Sequence, residues 1–570
     1  MSQTKSWDIE QVSVHGLQRL TFPSSLKQQI QQLADSITVS SLLGRFANEK
    51  RSEGWLEFSL REIKKEPNEL LLYFHEGNQY WLQKLSLNGL GDAFVARARL
   101  DRWIKKPRPL NWEQLESDLE SCLTLFQEEG YPFASFQRTD VAYQKKEGRI
   151  LTQVSYQFLT GPLIKIDSIE IKGNIRENPA FVHGLIRLRR GDIYQERRIT
   201  DIPRILNNSI YYQKVKAAKV TFTPFETARL ILEMEQKKSG KFDLLLGFLP
   251  NPDPGSDRRL RVTGRGEVLL VSPLKSGEII QLKYESLIEG TTNVLVGLKL
   301  PYILRTPFKA SGELNIYRQE DDFININTNF SGIYSFNPFL EGQLYFDRRQ
   351  TILQGDSAKY STISSPIELD GNRTLAGGGL TYQNLDYRLN PSKGWDVILR
   401  VGAGQKSISE NPFAPESWYE GRPVVQPIQQ VEIEAHRFFN LFPRNVLHLA
   451  NETKWFGARE YFRNDQWQLG GSQSIRGFNE NQFFADFYSF STLEYRFQLE
   501  RNSYLVGFLD YAWLRDRAQQ TTTQPLGLGV GMNYGTNAGI ISITYAVGRT
   551  QTESFRPSSG KIHIGFVNQF

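Results

Sequence analysis

The sequence predicts a two-part molecule: α+β repeats with a βααββ plan, followed by an all-β transmembrane barrel of about 16 antiparallel strands. Three observations lead there. Helical periodicity stops near residue 240. Before that point the order strand, helix, helix, strand, strand recurs along the chain. After it, stretches of about ten residues alternate apolar and polar side chains and are closed by turn residues.

The clearest repeat covers residues 164–238. Ile166, Ile169 and Ile171 form a strand that ends at Gly173-Asn174. Residues 180–188 carry Phe181, Val182, Leu185 and Ile186 at helical spacing and stop at Arg190-Gly191-Asp192. A second helix is expected over 198–207, with Ile199, Ile202, Ile205 and Leu206 on one face. Residues 211–215 open a strand, and Leu230, Leu232 and Met234 alternate with Ile231, Glu233 and Glu235 in the last. The G-N after the first strand, the R-G-D-x-Y between helices and the Y-x-K-V at the second strand resemble a POTRA domain. Residues 78–163 repeat the plan, with strands at 81–90, 134–143 and 150–159 and the junction Glu129-Gly130-Tyr131-Pro132. Residues 7–77 are a third copy, with strands at 9–14 and 70–74 and a middle that carries little punctuation.

The barrel is expected over 239–570. Alternating segments include 278–285, 293–301, 310–317, 323–330, 431–438 and 445–455. About sixteen fit the last ~330 residues, an even number as in bacterial barrels. An all-β sandwich is the competing architecture, but one-sided alternation with Tyr, Phe and Trp near strand ends favours a membrane barrel. The links 272–277 and 304–307 read as periplasmic turns. The longer polar links 350–373 and 407–426 read as extracellular loops.

Composition agrees and excludes other classes. Aromatic residues are 12% of the chain, Gly reaches 45 and charged residues are 23%, with a mean hydropathy of −0.43. No apolar run approaches the ~20 residues of a spanning helix. The net charge of +6, from 68 basic and 62 acidic groups spread along the chain, gives no basic face for nucleic acid. The single cysteine, Cys122, excludes an intramolecular disulfide framework and lies among Leu115, Leu119 and Phe126 as a core thiol. The first eight residues have no apolar signal core, so a secretory signal is expected to have been cut off or never present.

The most informative segment is residues 469–478, ending Ser474-Ile475-Arg476-Gly477-Phe478, inside a loop of roughly thirty residues. Glu494 follows in the next strand, and Phe508-Leu509-Asp510 lies in the strand after that. An Arg drawn into a lumen needs an acidic partner, because an unpaired charge away from bulk water is costly. These residues resemble the R-G-F/Y loop and F-x-D strand of BamA/TamA-type outer-membrane assembly proteins, in which the loop folds into the barrel. The resemblance implies that Arg476 bridges Asp510 and Glu494, that Gly477 permits a tight turn and that Phe478 packs on the wall. A surface Arg beside unrelated acids is the bland alternative. The turn Asp386-Tyr387-Arg388-Leu389-Asn390-Pro391-Ser392-Lys393-Gly394 also matches the family. The final segment, with Ile562, Ile564, Gly565, Phe566 and Phe570, resembles a C-terminal β-signal. Gly565 is expected to let the last strand kink inward, and the first strand, over 241–248, to meet the last over 561–570 at a weak seam.

No catalytic constellation is legible. The six histidines are dispersed, so no metal ligand set is expected, and no cofactor motif is present. His436 and His448 read as a pair on the barrel wall. The resemblance implies an assembly machine whose POTRA edges capture unfolded outer-membrane or secreted clients and whose seam opens laterally into outer-membrane lipid. Three POTRA units look closest to TamA-like members, which work with an inner-membrane-anchored TamB-like protein. BamA-type members work with assembly lipoproteins. A two-partner-secretion exporter is the main alternative, and a passive porin the third.

Overall fold

The computed structural model describes residues 9–568, apart from 33–35, 238–239, 251–259, 287–290, 304–305, 320–322, 356, 362–365, 367, 389, 473, 480 and 537–538. Phe570, the first eight residues and the turn residues Leu304 and Arg305 thus lie outside the described residues. The chain divides into two compact units. One comprises Met1–Ile169, Arg190–Thr200 and Val220–Leu230, and the other Glu170–Arg189, Asp201–Lys219 and Ile231–Phe570.

In the first unit, strand Gln11–His15 pairs in parallel with Glu69–His75, which pairs antiparallel with Ser59–Lys65. Helices Ser24–Gln32 and Ser36–Ser52 fill the stretch that the sequence left unpunctuated. The longer helix buries Val39, Leu43, Phe46 and Ala47, an apolar stripe at helical spacing. Next come strand Gln79–Asn88, short helices Asp92–Arg97 and Asp101–Ile104, helix Trp112–Glu128, and strands Ser135–Lys146 and Arg149–Leu159. The Asn111 side chain caps the long helix by accepting from the Gln114 amide at 3.0 Å. Its buried face, Leu115, Leu119, Cys122 and Phe126, closes on Leu82, Leu85, Val154 and Phe158.

The segment after Gly161 has strand Lys165–Lys172, helices Pro179–Ile186, Glu196–Thr200 and Ile202–Asn208, and strands Lys219–Thr223 and Thr227–Glu233. Two expectations need correction here. The helix expected over 198–207 is two short helices, the second beginning at Ile202 with Pro203 in its first turn, where a missing N–H costs nothing. The strand expected to open at Tyr211 is only a two-residue bridge, Tyr212–Gln213 with Glu235–Gln236. Lys214 takes a left-handed φ of 51°. The Asn207 side chain then donates to the Val215 carbonyl at 3.2 Å and accepts from its amide at 3.1 Å. With its backbone satisfied by a side chain, residue 215 has no ladder to join, and the strand starts at Lys219.

The second unit is dominated by one antiparallel sheet. Its wall strands are β1 (Lys241–Pro250), β2 (Leu260–Val271), β3 (Ile279–Ser286), β4 (Thr291–Leu300), β5 (Phe308–Gln319), β6 (Phe323–Asn337), β7 (Leu340–Leu353) and β8 (Gly371–Leu385). They continue as β9 (Gly394–Ile408), β10 (Val425–Phe442), β11 (Asn445–Gly457), β12 (Phe487–Glu500), β13 (Ser503–Asp516), β14 (Leu526–Gly535), β15 (Gly539–Arg549) and β16 (Lys561–Asn568). A three-residue strand, Thr521–Thr523, only extends the tip of β13, which pairs directly with β14. Among the described residues the wall therefore has sixteen strands, the number expected, each laddered to the next from β1 to β16.

Two-residue alternation is visible in β13. Val506, Phe508, Asp510, Ala512 and Leu514 are buried on one face, while Leu505, Leu509, Tyr511 and Trp513 are exposed on the other. An exposed aliphatic and aromatic face opposite a face holding an aspartate is what a lipid-facing wall around a polar lumen requires. Strands β6 to β13 are 13 to 18 residues long, whereas β1, β3, β15 and β16 have 10, 8, 11 and 8. Among the described residues no ladder joins β1 to β16.

Helices Pro179–Ile186 and Ile202–Asn208 contact the turns at one end of this barrel. The Asn178 backbone amide donates to the Lys275 carbonyl at 2.9 Å, the Tyr211 hydroxyl to the Gly277 carbonyl at 2.5 Å, and the Asn208 side-chain Nδ2 to the Leu385 carbonyl at 3.0 Å. Gly277 must be glycine, since a Cβ there would sit 2.0 Å from the Phe181 ring. The turn after β8 is tied by Asp386, which accepts from the Ser392 and Lys393 amides at 2.9 and 3.1 Å. Gly394 follows at φ +122, where a Cβ would lie 2.0 Å from the Asn384 carbonyl oxygen.

Candidate functional site

The link between β11 and β12 spans residues 458–486 and folds on itself through a short hairpin, Trp467–Leu469 with Phe483–Ala485. Gly470 and Gly471 both have positive φ, which lets the chain reverse while the Ser474 hydroxyl accepts from the Gly470 amide at 2.7 Å. Leu469, Ile475, Phe478 and Ala485 then pack with Tyr488 of β12 and Ala512 and Leu514 of β13. This apolar contact holds the loop against the inner wall, and the charged contact orients it.

Arg476 meets both acids singled out in the sequence. Its Nε donates to Asp510 Oδ2 at 2.7 Å, its Nη2 to Asp510 Oδ1 at 2.7 Å, and its Nη1 to Glu494 Oε1 at 2.8 Å. The Arg476 backbone amide adds a bond to Asp510 Oδ2 at 3.2 Å, and the guanidinium lies 3.5 Å from the centre of the Phe508 ring. A bidentate Arg–carboxylate pair is among the strongest charge-assisted contacts available to side chains. Asp510 is fully buried, so removing the Arg would strand its charge.

Gly477 sits at φ +94, and a Cβ there would approach the Val547 carbonyl carbon to 2.8 Å. Its amide donates to His563 Nε2 of β16 at 3.3 Å. Phe478 is buried, its ring where a Cβ on Gly548 of β15 would come within 2.6 Å. A Cβ on Gly527 of β14 would meet the Arg476 carbonyl oxygen at 2.1 Å. Three successive strands next to the seam thus carry glycine or histidine where the loop tip arrives.

Several members of the cluster escaped the sequence reading. Thr492 Oγ1 donates to Asp510 Oδ1 at 2.9 Å. Arg496 donates from Nε and Nη2 to Glu494 Oε2 at 2.8 and 2.6 Å. His448 Nδ1 lies 3.0 Å from the same oxygen, and its Nε2 is 3.1 Å from His436 Nδ1. Nearly parallel rings with nitrogens in contact make His436 and His448 a hydrogen-bonded pair. The wall pair read from the sequence is therefore also an arm of the charged cluster. Strand parity was the available signal: Thr492, Glu494 and Arg496 alternate and must share a face. His448 faces Glu494 directly in register, which no spacing along the chain reveals.

The seam residues are placed only in part. Ile562 and Ile564 are exposed, and the ladder from β15 runs in unbroken register through Gly565 and Phe566 to Asn568. The Phe566 side chain lies outside the described residues. At its other end the loop is anchored by a buried ion pair between Asp465 and Lys406 of β9.

Residues 280–570 match the model of the Omp85 superfamily domain. The chain belongs to the Omp85 superfamily. It is an outer-membrane protein of a family that inserts or translocates other proteins there. Among solved structures, CdiB from Acinetobacter baumannii aligns with a TM-score of 0.50 at 13% identity, covering 96% of this chain and 99% of that one. CdiB from Escherichia coli aligns at 0.49 and 13%, with 96% and 99% covered. BamA from Haemophilus ducreyi lacking POTRA domains 1–3 aligns at 0.43 and 13%, covering 85% and 98%. At this identity the likeness is one of fold. No curated protein sequence matches the chain.

Proposed function

We propose that this Omp85 protein inserts unfolded outer-membrane clients through a lateral seam between β1 and β16. The observation that carries this reading is the sheet itself. Every internal strand pair is laddered, while the two end strands share no ladder among the described residues and are short. A client strand cannot lie in lipid with open hydrogen bonds, and an unpaired strand edge offers the missing partners.

In this reading residues 7–77, 78–163 and 164–238 are POTRA domains in the periplasm. Open sheet edges such as Ser59–Lys65 receive extended client segments by β-augmentation. Arg476, Asp510 and Glu494 lock the inward loop, with Gly477 and Phe478 fitting its tip beside the seam. Gly565, Phe566 and Phe570 belong to the closing strand and its C-terminal signal. An inner-membrane-anchored TamB-like protein or assembly lipoproteins would serve as partners, and no catalytic step is involved.

The test is a disulfide scan in a Cys122→Ala background, with one new cysteine in 242–248 and one in 562–568. Crosslinked pairs should stop client insertion, and reducing agent should restore it. Normal insertion through a fully crosslinked seam would sink lateral opening and favour export of a secreted protein through the lumen.

A further inference from the structure

The lumen carries a second charged feature, distant in sequence from the loop lock and independent of the seam. Crossing the wall from β5 to β10, one row of inward residues reads Asn315, Asn327, Arg349, Arg373, Lys406 and Gln426, each directly opposite the next in register. Three cations therefore stand side by side on β7, β8 and β9. Like charges directly opposite one another in a sheet repel, so each needs a counter-charge.

Lys406 has one in Asp465 of the inward loop. Arg349 donates from Nε to Asn327 Oδ1 at 2.7 Å as one of its contacts, and Asp465 and Asp347 are the carboxylates that act on its charge. Arg373 makes no hydrogen bond and no ion pair among the described residues, and its guanidinium rests 5.4 Å from the Phe456 ring. Arg400, also on β9, reaches Asp347 and Glu432 only at 3.8 Å each, and its Nε is buried without a partner. Asp347, Glu432 and Asp465 are the carboxylates that face Arg373, and none contacts it. All three guanidiniums line one lumen cavity of about 830 Å³.

We propose that Arg349, Arg373 and Arg400 form a binding site for a soluble oxyanion of the phosphate class. A carboxylate has two oxygens and is satisfied by one guanidinium fork. A tetrahedral dianion offers further oxygens to forks arriving from neighbouring strands, and it neutralises the Arg349–Arg373 opposition. The wall is laddered without a break from β7 to β9, so the anion arrives through the lumen and not from the bilayer.

The test is calorimetric titration of the full chain in detergent micelles with inorganic phosphate, and separately with acetate and chloride. Expected is saturable phosphate binding at one site per chain, with acetate at least tenfold weaker. Arg373→Gln should weaken phosphate binding tenfold or more, and Arg373→Lys, which keeps the charge but not the fork, should fall between. Lys216→Gln should leave the constant unchanged, because that exposed lysine pairs with Glu233 and neither residue lines the cavity. Heat-modifiable mobility on gels checks that each variant is folded. Absence of saturable phosphate binding, or an unchanged constant in Arg373→Gln, would overturn the site. Acetate binding as tightly as phosphate would overturn the assigned ligand class.

Discussion

In the second α/β domain, Leu82, Leu115, Leu119, Cys122, Phe126 and Phe158 close on one another as a dry core. In the barrel the buried Glu494 and Asp510 close on Arg476, and Arg496 closes on Glu494. The α/β domain has an inside because apolar surface leaves water there, and its strands depend on that packing. The barrel's apolar surface faces outward, and its wall is held by backbone ladders whose loss in lipid would leave polar groups unpaired. Buried charge in the lumen can therefore serve to position a loop, while the wall stands without it. Burial alone does not tell whether a residue supports the fold or a function.

The largest effect that tests this contrast is expected at Arg476. Arg476→Ala strands the buried Asp510 carboxylate, while Glu494 keeps Arg496, a change of about 3–5 kcal/mol in loop docking. Client insertion should be abolished while the barrel stays heat-modifiable on gels. Combining Arg476→Asp with Asp510→Arg should recover part of the activity, since the two side chains meet. A fully active Arg476→Ala protein would remove the loop lock from the mechanism.

Leu115→Ala should behave in the opposite way. It removes a fully buried side chain from the dry core and should cost the second domain about 2–5 kcal/mol. Limited proteolysis should then cleave within 78–163 while the barrel resists. If the barrel loses heat-modifiability instead, the two regions do not fold by separate means.

His448→Gln sharpens the comparison within the lumen. Losing the His448 contact to Glu494 should weaken loop anchoring by about 1–3 kcal/mol, less than the Arg476 change because Arg496 still holds the same oxygen. Protease access to residues 458–486 reads this. Access equal to that of Arg476→Ala would make the histidine a primary anchor.

The smallest effect concerns Cys122, whose thiol burial pushes up to about 11 from 9.0. A thiol with a raised folded value is scarcely ionised at pH 8, and the reactive thiolate appears only when the domain opens. Labelling should be slow in the native protein and faster in Leu115→Ala. Rapid labelling of the native chain would mean that the core is not dry.

The sequence by itself determined the class of each region, because class depends on local periodicity. Phe181, Val182, Leu185 and Ile186 recur at helical spacing, while segments such as 323–330 and 431–438 alternate apolar and polar side chains. The resemblance of the chain's R-G-F and F-x-D motifs to those of a known family singled out Arg476, Glu494 and Asp510, and the need of an inward charge for a partner agreed with it. Only the tertiary structure decided which inward residues face one another across the wall. His448 lies opposite Glu494, and Arg349 opposite Arg373 and through it Lys406, at separations along the chain of 46, 24 and 57 residues. Those pairings follow from register, and register is fixed by turn lengths and the stagger of the whole sheet. Parity along one strand says which side a residue faces. Only the assembled wall says what it meets there.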